Sequence, residues 1–109
     1  MRAVYKEPGK PAEIIEIGNT LEEFQEKVGG SIETVSERLT TSAGTLEYLV
    51  ICNEEGRLIG LRANIEAGCG PVLVGPVLCV CARGEEFASI PERWLPRLCR
   101  NLDARSVGS

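Results

Sequence analysis

The sequence contains no histidine, and this absence removes several classes of catalytic site. Without imidazole the chain cannot form a Ser-His-Asp or Cys-His arrangement, nor a zinc site with histidine ligands. Histidine is also the usual general base near neutral pH. Catalysis would have to use carboxylates, lysine, tyrosine, a bare thiolate or a residue of a partner. We therefore expect a protein that is not an enzyme and that needs no cofactor or metal.

Long apolar runs and clustered basic residues are also missing. No stretch of about 18 residues is apolar, and no apolar run follows the charged N-terminus, so we expect neither a transmembrane helix nor a secretory signal. The expected location is the cytoplasm. The net charge of −4 and the aromatic fraction of 5% argue against binding of a phosphate backbone and stacking on bases. Neither a nucleic acid nor a membrane is therefore an expected partner.

A chain of 109 residues is expected to form one compact domain, which we place at residues 1–102. Residues 103–109 are polar and are expected to form a disordered tail. The five cysteines are expected to be free thiols, because their number is odd and the cytoplasm is reducing. These cysteines are Cys52, Cys69, Cys79, Cys81 and Cys99.

The pattern of residues 46–65 predicts a β-hairpin around which we expect the sheet to be organised. An apolar run at 46–52 leads into the polar turn 53–56, and a second apolar run follows at 58–61. Two such runs joined by a short loop with Asn and Gly are typical of a hairpin. The preceding segment 36–45 is rich in Ser and Thr and is predicted to be a flexible polar loop.

A helix is predicted over residues 20–28. Thr20 and Glu23 have the spacing of a capping box at its start, and Gly29 supplies a left-handed exit at its end. The apolar face of this helix is predicted to consist of Leu21, Phe24, Gln25 and Val28.

The segment 71–81 is nearly all apolar. It is predicted to be a strand that is buried on both faces or paired at a subunit interface, with a bulge or an edge at Gly75-Pro76. Strands are also predicted at 2–6 and 13–17, and a turn with Pro8-Gly9 joins them into a hairpin. A further strand is predicted at 31–35 and a loop at 62–70.

A second capping box, formed by Ser89 and Glu92, predicts a C-terminal helix that Pro96 divides or kinks. The predicted order is therefore β-β-α-β-β-β-β-α. This order indicates an α+β fold, with a single antiparallel or mixed sheet of about five or six strands and two helices packed on one face.

Two groups of cysteines have spacings that suggest chemistry. Cys79 and Cys81 point to the same face of a strand and could bind a soft metal or exchange with a disulfide. No second pair of ligands completes such a site, so core packing is the simpler interpretation. Cys69 lies between two glycines. This segment could form a tight turn, its glycine amides could bind an anion, or the thiol of Cys69 could act as a nucleophile. Because no base is evident for its thiol, a tight turn is favoured.

Basic and amide side chains flank the predicted hairpin and the first strand. We expect them to converge at one end of the sheet, where guanidinium groups bind phosphate or carboxylate and an Asn amide binds ring or amide edges. The alternative is that each lies separately on an exposed strand face. The candidate ligand-binding residues are Arg57, Arg62, Asn64, Arg2 and Lys6.

Three segments resemble a small family of domains of unknown function that occurs in bacteria, phages and other mobile elements. They are KEPGK at 6–10, NTLEEFQEKVGGSIE at 19–33 and CNEEGRLIGL at 52–61. The sequence departs from the family pattern at Ser31, where the family has Tyr, and after residue 61, where only Asn64 remains of an Asn-Arg loop. The resemblance implies a protein carried by mobile DNA. It transfers no catalytic residues, because the family has no established activity.

We therefore expect a non-enzymatic module that binds a small anionic ligand, such as a nucleotide-type defence signal, and sequesters it as a homo-oligomer. One alternative is a protein-interaction module that binds a host or phage protein through an exposed strand at 71–81 or the surface of the C-terminal helix around Trp94. Another is an enzyme that uses Cys69 or a pair of carboxylates.

Overall fold

The computed structural model describes residues 1–68 and 70–107. In this part of the chain the strands are β1 (Arg2–Lys6), β2 (Glu13–Glu16), β3 (Ile32–Thr41), β4 (Gly44–Asn53), β5 (Ala63–Glu66), β6 (Val72–Val74), β7 (Val77–Arg83) and β8 (Glu86–Ala88). The helices are α1 (Leu21–Val28) and α2 (Leu95–Ala104), and a 3₁₀ turn (Glu92–Trp94) precedes α2. The main sheet is antiparallel, in the order β2-β1-β7-β4-β3, and β8 extends it by pairing with β7. Strands β5 and β6 form a separate ribbon.

The α+β class and the antiparallel sheet are confirmed, but the two helices lie on opposite faces of the sheet rather than on one. Phe24 of α1 packs with Leu78 of β7, whereas Leu98 of α2 belongs to the cluster that contains Cys79. Consecutive residues of a strand point to opposite faces. A central strand with a core on each side must therefore be apolar throughout, which explains the long apolar run in the sequence.

That apolar run is divided at Gly75-Pro76 into β6 and β7, which belong to different sheets. Gly75 has a φ of 75°, and a Cβ there would lie 2.6 Å from Leu61 Cδ1, so the position requires glycine. β7 then runs between β1 and β4, and the predicted burial on both faces is confirmed for Val77 to Val80. This strand is therefore not an exposed docking edge.

The hairpin predicted at 46–65 is wrong. β4 pairs instead with β3 along its whole length, from Ile32 opposite Asn53 to Thr41 opposite Gly44. The segment predicted as a polar loop is therefore mostly strand, in which exposed and partly buried side chains alternate from Ser36 to Thr41. The chain after β4 forms turns in which Leu58 is 86% exposed, so the second predicted arm is not a strand.

Helix α1 confirms the prediction from local signals. Thr20 Oγ1 accepts a hydrogen bond from the Glu23 N–H at 3.2 Å, and Gly29 ends the helix with a φ of 82°. The Glu23 carboxylate reaches back to the N–H of Gly18 at 3.1 Å rather than to that of Thr20. Leu21 is 55% exposed, so the buried stripe of the helix consists of Phe24 and Val28 and does not include Leu21.

The predicted capping box of Ser89 and Glu92 is wrong, because both side chains bind Arg2. Ser89 Oγ accepts from the Arg2 backbone N–H at 2.9 Å, and Glu92 Oε1 from Arg2 Nε at 3.1 Å. The predicted division near Pro96 is present, since the 3₁₀ turn gives way to α2 with Pro96 in its first turn. Trp94 is only 2% exposed and belongs to the core.

The predicted disordered tail begins with the last two residues of α2, and residues 105–107 then pack against β5, which itself lies where a loop was predicted. The Glu66 N–H donates to the Arg105 carbonyl at 3.0 Å, and the Val107 N–H donates to the Asn64 carbonyl at 2.9 Å. This antiparallel contact gives β5 a neighbour besides β6. The last two residues of the predicted tail lie outside the described residues. Within the described part of the chain, no helix is both long enough and apolar enough to cross a membrane.

Candidate functional site

The side chain of Lys6 ends in a buried polar cluster. Lys6 closes β1 and is 1% exposed. Its Nζ donates to Asn64 Oδ1 at 3.1 Å, to Ser106 Oγ at 3.0 Å and to the Glu7 carbonyl at 3.4 Å. An ammonium group has three donors, and all three have acceptors here. We name Lys6, Asn64 and Ser106 the Lys6 cluster.

Asn64 of β5 fixes the position of this lysine. The Asn64 side chain is fully buried, and its amide nitrogen donates to the carbonyls of Lys6 and Gly75, each at 2.8 Å. Buried amides need such partners to offset the loss of water. With both N–H groups used in this way, the Oδ1 atom of Asn64 faces Lys6 Nζ.

The surroundings of Lys6 lower its pKa below the ordinary value of a lysine. Burial lowers the pKa of Lys6, because the ammonium group loses its hydration. The carboxylate of Asp103 opposes this effect on the pKa, and the guanidinium of Arg62 adds to it. Lys6 therefore loses its proton more readily than a lysine on the surface.

Of the five predicted ligand-binding residues, the structure brings Lys6 and Asn64 together and places Arg62 nearby. The guanidinium of Arg62 lies against Gly9, where a Cβ would come within 2.9 Å of Nη1 and Nη2. Glycine at position 9 thus makes room for Arg62.

The other two predicted residues, Arg2 and Arg57, lie elsewhere. Arg2 is at the opposite end of β1 from the Lys6 cluster, and its Nε is 3.1 Å from Glu92 Oε1 and 3.6 Å from Glu16 Oε1. Arg57 donates to the Val72 carbonyl beside a small cavity of about 80 Å³. The five residues therefore do not form a single anion-binding surface.

A larger cleft, of about 620 Å³, follows β3 at the edge of the sheet. Neighbouring residues of β3 point to opposite faces, so a cleft lined by consecutive residues passes over the free edge of this strand. We name it the β3 cleft. It is lined by Val35, Ser36, Glu37, Arg38, Glu47, Tyr48, Leu49, Ala67, Gly68 and Ala82.

One wall of the β3 cleft carries a buried carboxylate with several partners. Glu37 Oε1 accepts from the Tyr48 hydroxyl at 2.7 Å, and Oε2 accepts from the Gly68 N–H at 2.9 Å. The guanidinium of Arg105 binds both carboxylate oxygens. The charge of Glu37 is therefore neutralised and held in one orientation.

These contacts shift the ionisation of both acidic groups. Burial alone would raise the pKa of Glu37, but hydrogen bonds from Arg105, Tyr48 and Gly68 hold this pKa below its ordinary value. Burial, and then the neighbouring carboxylate, raise the pKa of Tyr48. Near neutral pH the wall of the cleft therefore presents an ionised carboxylate and a neutral phenol.

The other charged pair of the β3 cleft lies in solvent. Arg38 Nη2 is 2.9 Å from Glu47 Oε1, and the two side chains are 66% and 73% exposed. Such pairs contribute little to stability, because water screens them and both side chains lose entropy. Arg38 can therefore exchange its carboxylate partner for another anion at small cost.

The cysteines of the described residues are free thiols with little reactivity. Cys79 and Cys81 share one face of β7, as predicted, and Cys79 is fully buried. Burial raises the pKa of Cys79, and it raises the pKa of Cys52 to about 11. Among the described residues, no group of three or more acidic or thiol side chains could hold a metal ion. Cys69 lies outside these residues.

Of the residues that form the Lys6 cluster and the β3 cleft, the sequence predicted only Lys6 and Asn64 as site residues. Glu37 was assigned to a flexible loop, and Tyr48 was counted only as part of an apolar run. Arg105 and Ser106 were assigned to the tail. The alternation of side chains along β3 could have indicated that Glu37 lies on a strand. Nothing in the sequence near Arg105 and Ser106, by contrast, indicates a strand-like contact with β5.

The comparison with protein families finds a match over most of the chain. A family model described as a domain of unknown function, DUF3846, matches residues 1–101 and confirms the resemblance inferred from the three segments. The matched region contains Lys6, Asn64 and all the lining residues of the β3 cleft, and it stops before Arg105 and Ser106. No curated protein and no solved structure matches the chain.

Proposed function

The chain belongs to the DUF3846 family of domains of unknown function, and we propose that it is a non-enzymatic binding module that holds a small nucleotide-like molecule in the β3 cleft. The observation that carries the proposal is the cleft itself. Its volume of about 620 Å³ falls within the range of roughly 300–1,000 Å³ that is usual for small-molecule sites.

The lining of the β3 cleft supports a ligand with an apolar ring and a charged group. Leu49 and Ala82 supply apolar surface for a base, and Glu47 can accept from an exocyclic amino group. Arg38 supplies a guanidinium for a phosphate, which would replace the exposed carboxylate of Glu47. Glu37 is already neutralised by Arg105 and does not repel an anion strongly.

The sequence-based proposal of a nucleotide-type ligand is therefore kept, while its proposed site moves to the β3 cleft from the five residues Arg57, Arg62, Asn64, Arg2 and Lys6. Sequestration of a defence signal, a mobile-element origin and a homo-oligomeric state stay predictions. Sedimentation of the purified protein, with and without ligand, measures the last of these.

A thermal-shift screen against linear and cyclic nucleotides tests the proposal. A ligand at about a hundred times its Kd adds about 2.7 kcal/mol, which in a domain of this size raises Tm by on the order of ten degrees. Ala82→Trp should fill the cleft and Arg38→Ala should remove the phosphate partner, so both should abolish the shift. Arg100→Ala, an exposed arginine of α2 outside the cleft, is the control. Absence of any nucleotide-dependent shift in the unmodified protein contradicts the proposal.

The free edge of β3 favours a second candidate function, the capture of an extended peptide as an added strand. β3 is ten residues long and has a paired strand on only one side. Unpaired strand edges recruit peptides through main-chain hydrogen bonds. The earlier alternative surfaces, the strand at 71–81 and Trp94, are largely buried and do not favour this function.

Hydrogen exchange of the β3 amides in the presence of a captured partner protein distinguishes this second candidate. Thr34→Lys, on the edge strand, should weaken the complex, whereas Thr45→Lys on β4 should not. A partner that leaves the exchange of β3 unchanged does not bind by strand addition.

A further inference from the structure

Ser106 and Lys6 bring a hydroxyl and an amine together at the surface of the protein. Ser106 Oγ lies 3.0 Å from Lys6 Nζ. Ser106 is exposed, whereas the lysine side chain behind it is buried. A solution molecule can therefore reach the hydroxyl, while the amine is shielded from bulk water.

We propose that Ser106 and Lys6 form a nucleophile pair that accepts the acyl group of a small activated ester, with Asn64 positioning the lysine. Serine–lysine pairs are a known way to activate a hydroxyl without histidine. This chain contains no histidine, so lysine is its available nitrogen base.

The mutual geometry fits the roles. A nucleophile and its base should be within about 2.6–3.2 Å, and a third group should orient the base. The Ser106–Lys6 distance meets the first condition, and the bond from Lys6 Nζ to Asn64 Oδ1 at 3.1 Å meets the second. Asn64 is itself fixed by two hydrogen bonds from its amide nitrogen to backbone carbonyls.

The backbone around Ser106 is also held in place. The Arg105 carbonyl and the Val107 N–H both bond to β5, on either side of Ser106. The residue is therefore presented by a paired segment rather than by a free end, which keeps its hydroxyl next to the amine.

The chemical step is an acyl transfer. Neutral Lys6 Nζ takes the proton of the Ser106 hydroxyl while Oγ forms a bond to the carbonyl carbon of the ester. The bond from that carbon to the leaving oxygen then breaks, and the ammonium of Lys6 returns the proton to the leaving group. The acyl group stays on Ser106 Oγ, and Lys6 is again neutral. No electron transfer is involved, and ester plus the serine hydroxyl gives acyl serine plus alcohol.

The electrostatic surroundings agree with a lysine base. Only the neutral amine can accept a proton, and burial lowers the pKa of Lys6. The charged groups that act on it are Asp103, which raises this pKa, and Arg62, which lowers it. The rate of acylation should therefore rise with pH and level off above the pKa of Lys6 in the folded protein.

Acetylation by p-nitrophenyl acetate tests the nucleophile. The expected result is release of p-nitrophenolate with one acetyl group on Ser106, located by fragmentation of the peptide in a mass spectrometer. Ser106→Ala should lower the rate about a hundred-fold or more, the lower range of general base catalysis. Ser31→Ala removes another exposed serine and should leave the rate unchanged. Acetyl groups on Lys6 instead of Ser106, or equal rates in Ser106→Ala, overturn the proposal.

Two charge variants test the base without replacing Lys6. Asp103→Asn removes a carboxylate that raises the pKa of Lys6, so the plateau of the rate should move to lower pH. Arg62→Gln removes a cation that lowers this pKa, so the plateau should move to higher pH. If Lys6 had only a structural role, neither variant would move the plateau. Any result other than shifts of the plateau in opposite directions overturns the assignment of Lys6 as the base.

The result of the acetylation test does not depend on whether the protein binds a nucleotide. Ser106, Lys6 and Asn64 do not line the β3 cleft, so acetylation and nucleotide binding are measured at different places. Ala82→Trp should abolish nucleotide binding and leave acetylation of Ser106 unchanged.

Discussion

Arg105 and Glu37 form a two-point ion pair between the end of α2 and the edge strand β3. Arg105 Nη2 lies 2.9 Å from Glu37 Oε1, and Nη1 lies 3.1 Å from Oε2. The two side chains are 18% and 4% exposed. Nη1 of Arg105 also donates to the Glu66 carbonyl at 2.9 Å, and Nε donates to Asn101 at 3.1 Å. One guanidinium thus joins β3, β5 and α2.

Replacing Arg105 should destabilise the protein more than replacing an exposed arginine. In Arg105→Met the carboxylate of Glu37 stays buried without its cation, and the free energy of unfolding should fall by up to about 3 kcal/mol. Arg38→Met, which breaks the exposed pair with Glu47, should cost less than about 1 kcal/mol. Urea unfolding of both variants measures the difference, and equal losses would show that burial of the Arg105 pair is unimportant.

The same ion pair should make stability depend on pH on the acidic side. The pKa of Glu37 is lower in the folded protein than in the unfolded chain. Its contribution is therefore complete above the ordinary carboxyl pKa of about 4.3 and is lost as the pH falls through the lower folded value. The unfolding free energy should decline below about pH 5. Glu37→Gln should flatten this decline, while Glu47→Gln in the exposed pair should not; unchanged curves would contradict the shift.

Alanine substitutions at two glycines with nearly the same φ distinguish the cost of backbone strain from the cost of a steric clash. Gly75 and Gly60 have φ values of 75° and 74°, so alanine strains the backbone equally at both. Gly60 has nothing within 4 Å of an added Cβ, whereas Gly75 has Leu61 Cδ1 at 2.6 Å. Gly60→Ala should cost about 1–2 kcal/mol, and Gly75→Ala clearly more. Thermal unfolding checks the order, and a larger loss at Gly60 would be inconsistent with the packing of Leu61.

The buried thiols should be unreactive until the protein unfolds. The raised pKa of Cys79, together with its full burial, keeps its sulfur protonated and inaccessible. The pKa of about 11 for Cys52 has the same effect. In a Cys69→Ser background, a disulfide reagent should label neither residue in the native protein and both in urea. Rapid labelling of Cys79 in the native protein would contradict the burial of this β7 residue beneath α2.

The sequence predicts those parts of the fold whose signals are local. Helix α1 begins at Thr20 and ends before Gly29, as expected from its caps. The hairpin of β1 and β2 follows from two short β-rich segments around a Pro-Gly turn. In each case the interactions that fix the element lie within a few residues, so the sequence pattern contains them.

The β3–β4 hairpin and the sites could not be predicted in the same way. Thr40 and Thr45 were assigned to a loop because of their polarity, yet they face each other on paired strands. Lys6 and Ser106 lie 100 positions apart in the sequence and meet only through the packing of β5. Contacts between residues so far apart in the sequence depend on the topology of the whole fold. Local sequence patterns therefore do not predict them.

The inward position of Glu37 has a consequence for the alignment of β3 on β4. The side chains of β3 alternate between the two faces of the sheet. Sliding the strand by one residue along β4 would therefore move every side chain of β3 to the opposite face. A slide in one direction would put Ser36 in the place of Glu37, and a slide in the other would put Arg38 there, against the guanidinium of Arg105. Two buried cations without a carboxylate repel each other and lack partners. The ion pair of Glu37 with Arg105 therefore favours the observed alignment of β3 on β4 over an alignment shifted by one residue.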